Sequence, residues 1–584
     1  MNTEETVGES VADALLAIFR NSLAISDVTL DGKFYALGGD SLLAVRVVNE
    51  AREKGINLSL RDLLVHQSVR ALLNSESVRA GTAKNSPEPL GASAAGAGPT
   101  HTAEPFSLLS ARDRARLPDG LQDALPASAL QAGMLYLCEA GGDRHLYHSV
   151  EGWEVRAPFD ETRFRAAVRD LTHRHPALRT SFDFGDLSTP AQLVWNHVEP
   201  ALRVEHADSA DAALRLLEDW RSLTGIAPLD WRTAPLVRFL VVTLPGSFHV
   251  AVSAHHVVLD GWSFSRLAVD LTRLYDTGAD GRGAEEGVAD ARTAEEAAAR
   301  QEAGREACEE AAVNARVQHA FVAAEQAASA SASAEAHWLA QAGTADALVP
   351  YVDPARAVDA SARLLLDLPR DLVASLSGVA RDLGTSRKSV LLAAHAAAQG
   401  AWSGRDRDVV TGLVFNTRPE SPGSDRATGL FLNTLPVRFE TLPDSWNDLI
   451  RHADELERGG YAHRHYPQAL LTERLGRPAF PVVFNYMHFH AYRDLDRPSA
   501  TPTRGRWRRG KPSFPLHVNV EITDGRGQVR IGFDPDLVPR PSVEAYARTL
   551  HEGLVRLAAD PAGPTRWTPD PTHRPHTGPQ ESDD

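Results

Sequence analysis

Two adjacent histidines at the end of a strand-like run are the residues best suited to chemistry. Residues 248–254 alternate as a strand does and lead directly into His255 and His256, within the segment HHVVLDG. Neighbouring strand residues face opposite sides, so at most one imidazole can point into a given cleft. An imidazole with its ordinary pKa of about 6.5 can act as a general base. A plainer interpretation is that one histidine is buried and hydrogen-bonded and the other incidental.

The end of the segment supplies a carboxylate, Asp260, and a glycine, Gly261. Asp260 could orient His256 as the third member of a triad, but a spacing of four residues does not establish contact. Gly261 has no side chain and permits close approach to its amide, a candidate donor to an oxyanion. A covalent acyl-enzyme is not expected, because the sequence has no Gly-x-Ser-x-Gly nucleophile motif.

A second candidate is Ser41, which stands where the glycine-rich run Gly38–Asp40 turns into a predicted helix. A helix start attracts phosphate-bearing groups. The plainer interpretation is that Asp40 or Ser41 only caps the helix.

The segment FYALGGDSLLAVRVV, beginning at Phe34, resembles the core motif of peptidyl carrier proteins of nonribosomal peptide synthetases. The resemblance covers about residues 5–78. It implies that Ser41 carries a covalent 4′-phosphopantetheine whose thiol holds an aminoacyl or peptidyl thioester. The partners that it implies are a phosphopantetheinyl transferase and an adenylation enzyme that loads the carrier.

The histidine segment resembles the signature of condensation domains of the same synthetases, relatives of chloramphenicol acetyltransferase. Further motifs follow the family order: ALPASALQAGMLY from Ala124, RHPALRTSF from Arg174 and GLFLNTLPVR from Gly429. The resemblance spans about residues 120–560 and implies a catalytic His256 beside His255. It also implies a structural Asp260, a backbone approach at Gly261 and an Asn433 near the reaction channel. Arg179 or Arg363 could pair with Asp260, and the family's fourth motif is not recognisable.

The expected fold is a four-helix-bundle carrier domain followed by an α+β condensation domain of two chloramphenicol acetyltransferase-like lobes. The carrier takes residues 1–80, and a Gly/Ala/Ser-rich flexible linker takes 81–104. The lobes take 105–275 and 346–568, and residues 569–584 form a disordered tail. Residues 276–345 between the lobes are rich in Ala and Glu, which predicts a helical and mostly solvated excursion.

The net charge, the apolar content and the number of cysteines further restrict the kinds of partner and site that the sequence predicts. Lys and Arg total 61 against 77 Asp and Glu, a net charge of −16, which argues against binding nucleic acid or anionic lipid. The absence of a long apolar run and the acidic start predict a cytoplasmic protein without a membrane segment. Only Cys138 and Cys308 are present, so neither disulfides nor a metal site are indicated.

A carrier upstream of a condensation domain resembles the donor side of an assembly line. The acceptor is then a downstream carrier protein or a small-molecule amine, and a hydroxyl acceptor would give an ester. The alternatives are an epimerisation domain and a non-catalytic recruitment platform. Trp262 precedes Ser263, an order that favours condensation, and the intact histidine segment favours catalysis. The Met1 start and polar tail favour a free-standing two-domain protein over an excised piece.

Overall fold

The computed structural model describes residues 2–82, 104–141, 145–221, 227–277, 289–343, 362–480, 482–487, 503–510, 514–523 and 525–568. The expected linker lies outside these ranges except at its two ends, and the expected tail lies outside them altogether.

Residues 2–82, called here the helical unit, form a bundle of short helices: α1 (Asn2–Leu23), α2 (Ser41–Glu53), α3 (Leu60–His66), α4 (Val69–Leu73) and α5 (Glu76–Thr82). The expected bundle is confirmed, and α5 extends it into residues assigned to the linker. Ser68 caps α4, accepting a hydrogen bond from the Ala71 amide at 3.3 Å. Phe19 and Phe34 are fully buried and pack edge to face in the core.

Residues 104–568, called here the two-lobed unit, begin with a lobe that mixes helices and strands. Its elements are α6 (Ala111–Arg114), β1 (Leu121–Pro126), α7 (Ala129–Gly141), β2 (His148–Val155), α8 (Glu161–Arg174), β3 (Thr180–Asp183), β4 (Ala191–Trp195), β5 (Ala201–His206), α9 (Ala210–Arg221), β6 (Val237–Leu244), β7 (Ser247–His255) and α10 (Gly261–Thr277). A 3₁₀ turn, Pro176–Arg179, precedes β3. A three-stranded sheet has the order β1-β4-β3.

Two helices, α11 (Ala289–Ser329) and α12 (Ala332–Gln341), join this lobe to the next. The second lobe contains β8 (Ala362–Leu368), α13 (Arg370–Leu383), α14 (Arg387–Ser403), β9 (Arg407–Asn416), β10 (Leu432–Thr441), α15 (Trp446–Tyr461), α16 (Gln468–Leu475), β11 (Val483–Met487), β12 (Thr503–Gly510), β13 (Leu516–Thr523), β14 (Arg526–Phe533) and α17 (Arg540–Ala559). Its six-stranded sheet has the order β10-β9-β11-β13-β14-β8.

The division between the lobes is less simple than the expected boundaries. Strand β12 belongs by sequence to the second lobe but pairs with β2 in the five-stranded sheet β12-β2-β7-β6-β5 of the first. Trp507 of β12 lies so close to Gly152 of β2 that a Cβ there would meet its indole ring at 2.6 Å. The first lobe's sheet is therefore completed by a segment from the far end of the chain.

The excursion between the lobes is helical, as predicted, but the expectation that it is mostly solvated is wrong for its second half. Val317, Phe321 and Val322 of α11 are at most 4% exposed and form a core with Ala427 and Phe431. The Asn314 side chain accepts a hydrogen bond from the Thr428 amide at 2.8 Å. The apolar residues of α11 cluster in this one stretch, and an average over the whole Ala/Glu-rich segment conceals them.

Candidate functional site

The histidine segment, HHVVLDG, begins at the last residue of β7, which is the central strand of the five-stranded sheet. The pairing of β7 with β2 sets His255 opposite His148. The next residue, His256, leaves the strand, and its amide donates to the Tyr147 carbonyl at 2.8 Å. The chain then turns through Asp260 into α10, so the two histidines and the head of a helix lie together.

His256 and His255 have different surroundings, as their adjacent positions predicted. The half-buried His256 bonds through Nδ1 to the Leu259 carbonyl at 2.9 Å. Because a carbonyl only accepts, Nδ1 carries the proton, and neutral His256 keeps a lone pair on Nε2. His255 is 1% exposed, and its Nδ1 accepts from the Val257 amide at 3.1 Å.

Burial, reinforced by the nearby His148 and His256, lowers the pKa of His255 to about 3. His255 is therefore neutral and faces the core, where its Nε2 lies 3.6 Å from the Cys138 sulfur. The structure gives His255 the surroundings of a structural residue, although the sequence had grouped it with the catalytic residues.

Asp260 is held by Arg418, and the expectation that Arg179 or Arg363 pairs with it is wrong. The Arg418 guanidinium binds the carboxylate through two hydrogen bonds of 2.9 and 3.1 Å. Arg179 instead donates to backbone carbonyls that include that of Thr172 at 3.0 Å, and Arg363 lies on β8 in the six-stranded sheet. Arg418 is 158 residues from Asp260 along the chain, and no local pattern marked it.

The Asp260 carboxylate holds neighbouring backbone and side-chain groups in position and does not contact His256 as a triad member would. It accepts from the Ser263 amide at 2.8 Å, which caps α10, and from the Phe431 amide at 3.1 Å. Burial alone would raise the pKa of Asp260, but Arg418 and Ser263 outweigh it and the pKa is lowered. Since the His256 Nδ1 proton goes to Leu259, the triad interpretation is not supported.

Asn433 is placed at β10 with its side chain committed to the backbone. Its amide nitrogen donates to the Tyr466 carbonyl at 2.7 Å and to the Arg464 carbonyl at 3.0 Å. The residue is 7% exposed, and its neighbour Leu432 lines the cleft described below. Asn433 thus ties the segment after α15 to the sheet, which is a positioning role.

Ser41 is the first residue of α2, and the loop of residues 38–40 leads into it. Asp40 caps the helix by accepting from the Leu43 amide at 2.9 Å, so Ser41 is the first helical residue and not the cap. Gly38 has a φ of +100°, and a Cβ on Gly39 would meet the Phe34 ring at 2.4 Å. Both glycines are therefore needed for this turn.

The helical unit packs against the second lobe through polar contacts centred on Glu420. The Arg52 guanidinium donates to the Glu420 carbonyl at 2.5 Å and lies 3.5 Å from its carboxylate. The Leu60 amide donates to the same carboxylate at 3.1 Å. A Cβ on Gly384, at the end of α13, would lie 2.4 Å from the Lys33 ammonium. Lys33 before α2, Arg52 in its last turn and Leu60 of α3 therefore all lie against the second lobe.

A cleft of about 1210 Å³, open solvent included, runs between the two units. The helical unit contributes Tyr35, the loop 38–40 and Leu64. The two-lobed unit contributes Gly261 and Trp262 at the head of α10. The cleft therefore connects the loop before Ser41 with the helix that follows the histidine segment.

The residues of this cleft fit the 4′-phosphopantetheine that the resemblance implies. The serine begins a helix whose cap is supplied by Asp40, and the cleft that Gly38, Gly39 and Asp40 line also reaches Asp260 and Gly261 at the end of the histidine segment. The Tyr35 hydroxyl is buried beside this cleft and has no hydrogen-bond partner among the described residues, so it can donate to a polar atom of a bound group.

The described residues hold one cluster with donor atoms of the kind that bind metals, formed by His175, Asp270 and Glu310. Arg266 already binds Asp270 at 2.7 Å and lies 3.7 Å from Glu310. The cluster therefore serves as an ion-pair network that joins α8, α10 and α11. Within the described part of the chain, no helix is both long and apolar enough to cross a membrane.

Comparison with known proteins agrees with this architecture. The family model described as a phosphopantetheine attachment site matches residues 13–74, and the condensation domain model matches residues 121–307 and 307–569. The fold resembles the condensation domain of the Monacolin K polyketide synthase MokA, with a TM-score of 0.59 and 18% identity over 77% of this chain and 100% of that one. It also resembles the first condensation domain of the calcium-dependent antibiotic synthetase, with a TM-score of 0.58 and 20% identity over 76% of this chain and 98% of that one.

Curated relatives include longer synthetases. The AMB antimetabolite synthetase AmbE of Pseudomonas aeruginosa is 34% identical over 96% of this chain and 25% of its own length. Tyrocidine synthase 2 of Brevibacillus parabrevis is 25% identical over 84% of this chain and 12% of its own length. The chain thus spans a quarter or less of these two relatives. By the extent of the family match and the likeness to AmbE, the chain belongs to the condensation domain family of nonribosomal peptide synthetases and carries a phosphopantetheine attachment domain, its helical unit, ahead of it.

Proposed function

We propose that the two-lobed unit transfers an acyl, aminoacyl or peptidyl group from a thioester carried at Ser41 to an amine, with formation of an amide bond. A hydroxyl acceptor would give an ester by the same chemistry. The observation that carries the proposal is the cleft shared by the loop before Ser41 and the head of α10. The donor is thereby assigned to the chain's own helical unit.

The 4′-phosphopantetheine on Ser41 supplies the thioester and the reach to the histidine segment. The protein's contribution is to hold the helical unit at the mouth of the cleft, through Arg52 and Glu420, so that donor and acceptor meet at a high effective concentration.

His256 is proposed as the group that manages the acceptor's proton. An α-ammonium group has a pKa of about 8 and is mostly protonated at pH 7, whereas only the neutral amine attacks. With Nδ1 bonded to Leu259, Nε2 is the nitrogen that accepts the amine proton as the new C–N bond forms. The same nitrogen returns that proton to the sulfur as the C–S bond breaks.

The head of α10 is proposed to stabilise the negative charge that develops on the carbonyl oxygen. The first amides of a helix have no intrahelical carbonyl partner, and Asp260 takes that of Ser263. The amides of Gly261 and Trp262 remain at a helix end that favours negative charge, beside the cleft. Asp260, His255 and Asn433 are proposed as positioning residues.

The proposed partners are a phosphopantetheinyl transferase, an adenylation enzyme that loads Ser41, and a downstream carrier protein or a small-molecule amine. We also propose that the reaction takes place in the cytoplasm. The acidic composition supports neither a nucleic acid nor a membrane partner.

Intact-mass analysis tests the proposal. The full chain is treated with a phosphopantetheinyl transferase and a panel of aminoacyl or acyl donors, and is then offered amines. We expect modification of wild type but not of Ser41→Ala, followed by loss of the donor mass and release of an amide. Deuterium exchange at the donor Cα without transfer would instead favour the epimerisation alternative. Loading without either reaction would favour a recruitment platform.

A charge reversal tests whether docking through Glu420 serves the transfer. In Arg52→Glu, two carboxylates would face each other, so we expect the rate from the Ser41-bound donor to fall at least about tenfold. Transfer from a free pantetheine thioester should keep its rate. The control is Arg61→Glu on the exposed side of α3, where no change is expected in either reaction. Equal rates for Arg52→Glu and wild type would contradict this docking role.

A further inference from the structure

Gly429, in the segment that connects β9 to β10, holds the head of α10 on both sides. Its carbonyl accepts from the Asp260 amide at 2.8 Å, and its amide donates to the Ser263 hydroxyl oxygen at 3.0 Å. Gly261 and Trp262, whose amides are proposed to stabilise the developing negative charge, lie between these two residues in the chain. The position of Gly429 therefore determines where the head of α10 lies beside the cleft.

Thr428, the residue before Gly429, is held from two other elements. It is 1% exposed, and its hydroxyl oxygen lies 3.1 Å from Nδ1 of His175, the residue that ends α8. The Thr428 amide donates to the side-chain oxygen of Asn314 in α11 at 2.8 Å. The hydroxyl lies 3.4 Å from that same oxygen, so His175 is its nearer partner.

The groups around His175 determine the direction of its hydrogen bond to the threonine. Nε2 of His175 lies 3.2 Å from the Asp270 carboxylate, which only accepts, so Nε2 carries a proton. The charge of Asp270 is balanced by Arg266 at 2.7 Å. Glu310, the second carboxylate of the cluster, lies 3.6 Å from Arg174. Because both carboxylates are compensated, the buried imidazole is neutral, and Nδ1 accepts from the threonine hydroxyl.

We propose that His175 is a positioning residue of the transfer reaction, which acts through the Thr428 hydroxyl on Gly429. The imidazole holds Thr428, and Thr428 fixes the peptide groups of Gly429 that hold the head of α10. Donors to a developing oxyanion act only when they are fixed in place before the reaction, so a small displacement of this helix end slows the chemical step. His175 is fully buried and therefore acts through these contacts. The inference rests on the proposed function and deepens it.

Single-turnover transfer from the loaded full chain to an amine tests this role. Thr428→Val removes the hydroxyl but keeps the shape of the side chain and the amide bond to Asn314. We expect it to transfer about tenfold more slowly, with the amine concentration for half-maximal rate unchanged. Thr428→Ser keeps the hydroxyl and should recover most of the rate. The control is Thr549→Val in α17, which removes a hydroxyl bond to the Ala545 carbonyl and should keep the wild-type rate.

Two variants of His175 separate its two contacts. His175→Asn places an amide oxygen near the position of Nδ1, where it can accept from Thr428. His175→Gln places its amide near the position of Nε2 and keeps only the contact with Asp270. We expect His175→Asn to transfer about tenfold faster than His175→Gln, with denaturant unfolding used to compare their stabilities. The reverse order would overturn the proposal, because the contact with Asp270 would then determine the rate.

Nitrogen NMR of the full chain with isotopically labelled histidine measures the hydrogen-bond direction without any transfer reaction. The spectrum of His175→Asn identifies the His175 signals, and we expect a protonated Nε2 and an unprotonated Nδ1 in wild type. A proton on Nδ1, or equal transfer rates for Thr428→Val and wild type, would overturn the positioning role and leave the proposed function intact. Absence of transfer in the loaded wild type would overturn both.

Discussion

The Asp260 carboxylate accepts five hydrogen bonds from Arg418, Ser263 and Phe431. Arg418 and Phe431 lie near the two ends of the segment that connects β9 to β10 in the second lobe. One buried carboxylate therefore joins the head of α10 to that lobe. A buried charge pair of this kind gives geometric definition more than net stability. Its value to the site is that Gly261 and Trp262 are held in place beside the cleft.

Asp260→Asn removes the charge and keeps the shape of this residue. We expect it to lower the free energy of unfolding by about 3–5 kcal/mol, because Arg418 is left buried without its counter-charge. Denaturant unfolding measures the loss. Asp31→Asn, which changes an exposed carboxylate paired with Arg70, is the control and should leave the unfolding curve in place. A loss below about 1 kcal/mol for Asp260→Asn would contradict the role given to the pair.

At this scale the sequence could indicate the residue types but not their partners. The strand alternation before His255 predicted that the two histidines would have different surroundings, and they do. The Arg418 pairing was missed because it depends on the meeting of two segments 158 residues apart. Glu420 was missed for the same reason: its significance arises from contact with the helical unit.

Among the elements, α11 has a role that its composition concealed. Its buried stretch around Phe321 packs edge to face on Phe431, whose amide donates to Asp260. The helix therefore supports the segment whose Phe431 amide binds the Asp260 carboxylate. Averages over a long Ala/Glu-rich segment predict helix correctly, but they do not reveal one apolar stretch that meets a complementary surface.

Phe321→Ala tests this support. We expect the free energy of unfolding of the two-lobed unit to fall by about 3–5 kcal/mol, with a lower transfer rate, because a cavity opens beneath Phe431. Denaturant unfolding and the mass-based transfer assay measure the two effects. Glu309→Ala, at an exposed position of the same helix, should change neither. If Phe321→Ala unfolds like wild type, α11 is the solvated excursion that its composition suggested.

For the molecule as a whole, buried neutral histidines predict sensitivity to acid. Burial lowers the pKa of His148, His255, His395 and His465 to about 3 each. Between pH 6.5 and 3 these histidines bind protons in the unfolded chain but not in the folded chain, so their contribution to stability is complete above pH 6.5 and is lost as the pH falls. Each such histidine contributes about 1.4 kcal/mol per pH unit within this window.

Unfolding free energies measured from pH 7.5 to 4.5 check the slope. His395→Asn should reduce the slope by about one proton, although the variant starts from a lower stability because His395 bonds Tyr546 and Thr411. The exposed His197→Asn should leave the slope unchanged. A flat profile between pH 6.5 and 4.5 in wild type would mean that these histidines are not held neutral.

The order of the domains was predictable from the sequence, and the joins between them were not. The carrier and condensation motifs predicted the two units and their order, because each motif lies within one short stretch of sequence. Two of these joins are the pairing of β12 with β2 and the contact of the helical unit with Glu420. Both connect segments that are distant along the chain, so no local sequence pattern predicts them. They determine how the sheet of the first lobe is completed and where the helical unit contacts the second lobe.

The proposed mechanism depends on His256, which accepts the proton of the amine and returns it to the thioester sulfur during transfer from Ser41. Single-turnover transfer from the loaded full chain to an amine tests it, with His256→Ala compared with wild type and with His249→Gln, a half-buried histidine of β7 outside the site. We expect His256→Ala to be loaded fully and to melt at the wild-type temperature but to transfer about 10²–10⁴-fold more slowly. His249→Gln should keep the wild-type rate. Equal transfer rates for His256→Ala and wild type would contradict it.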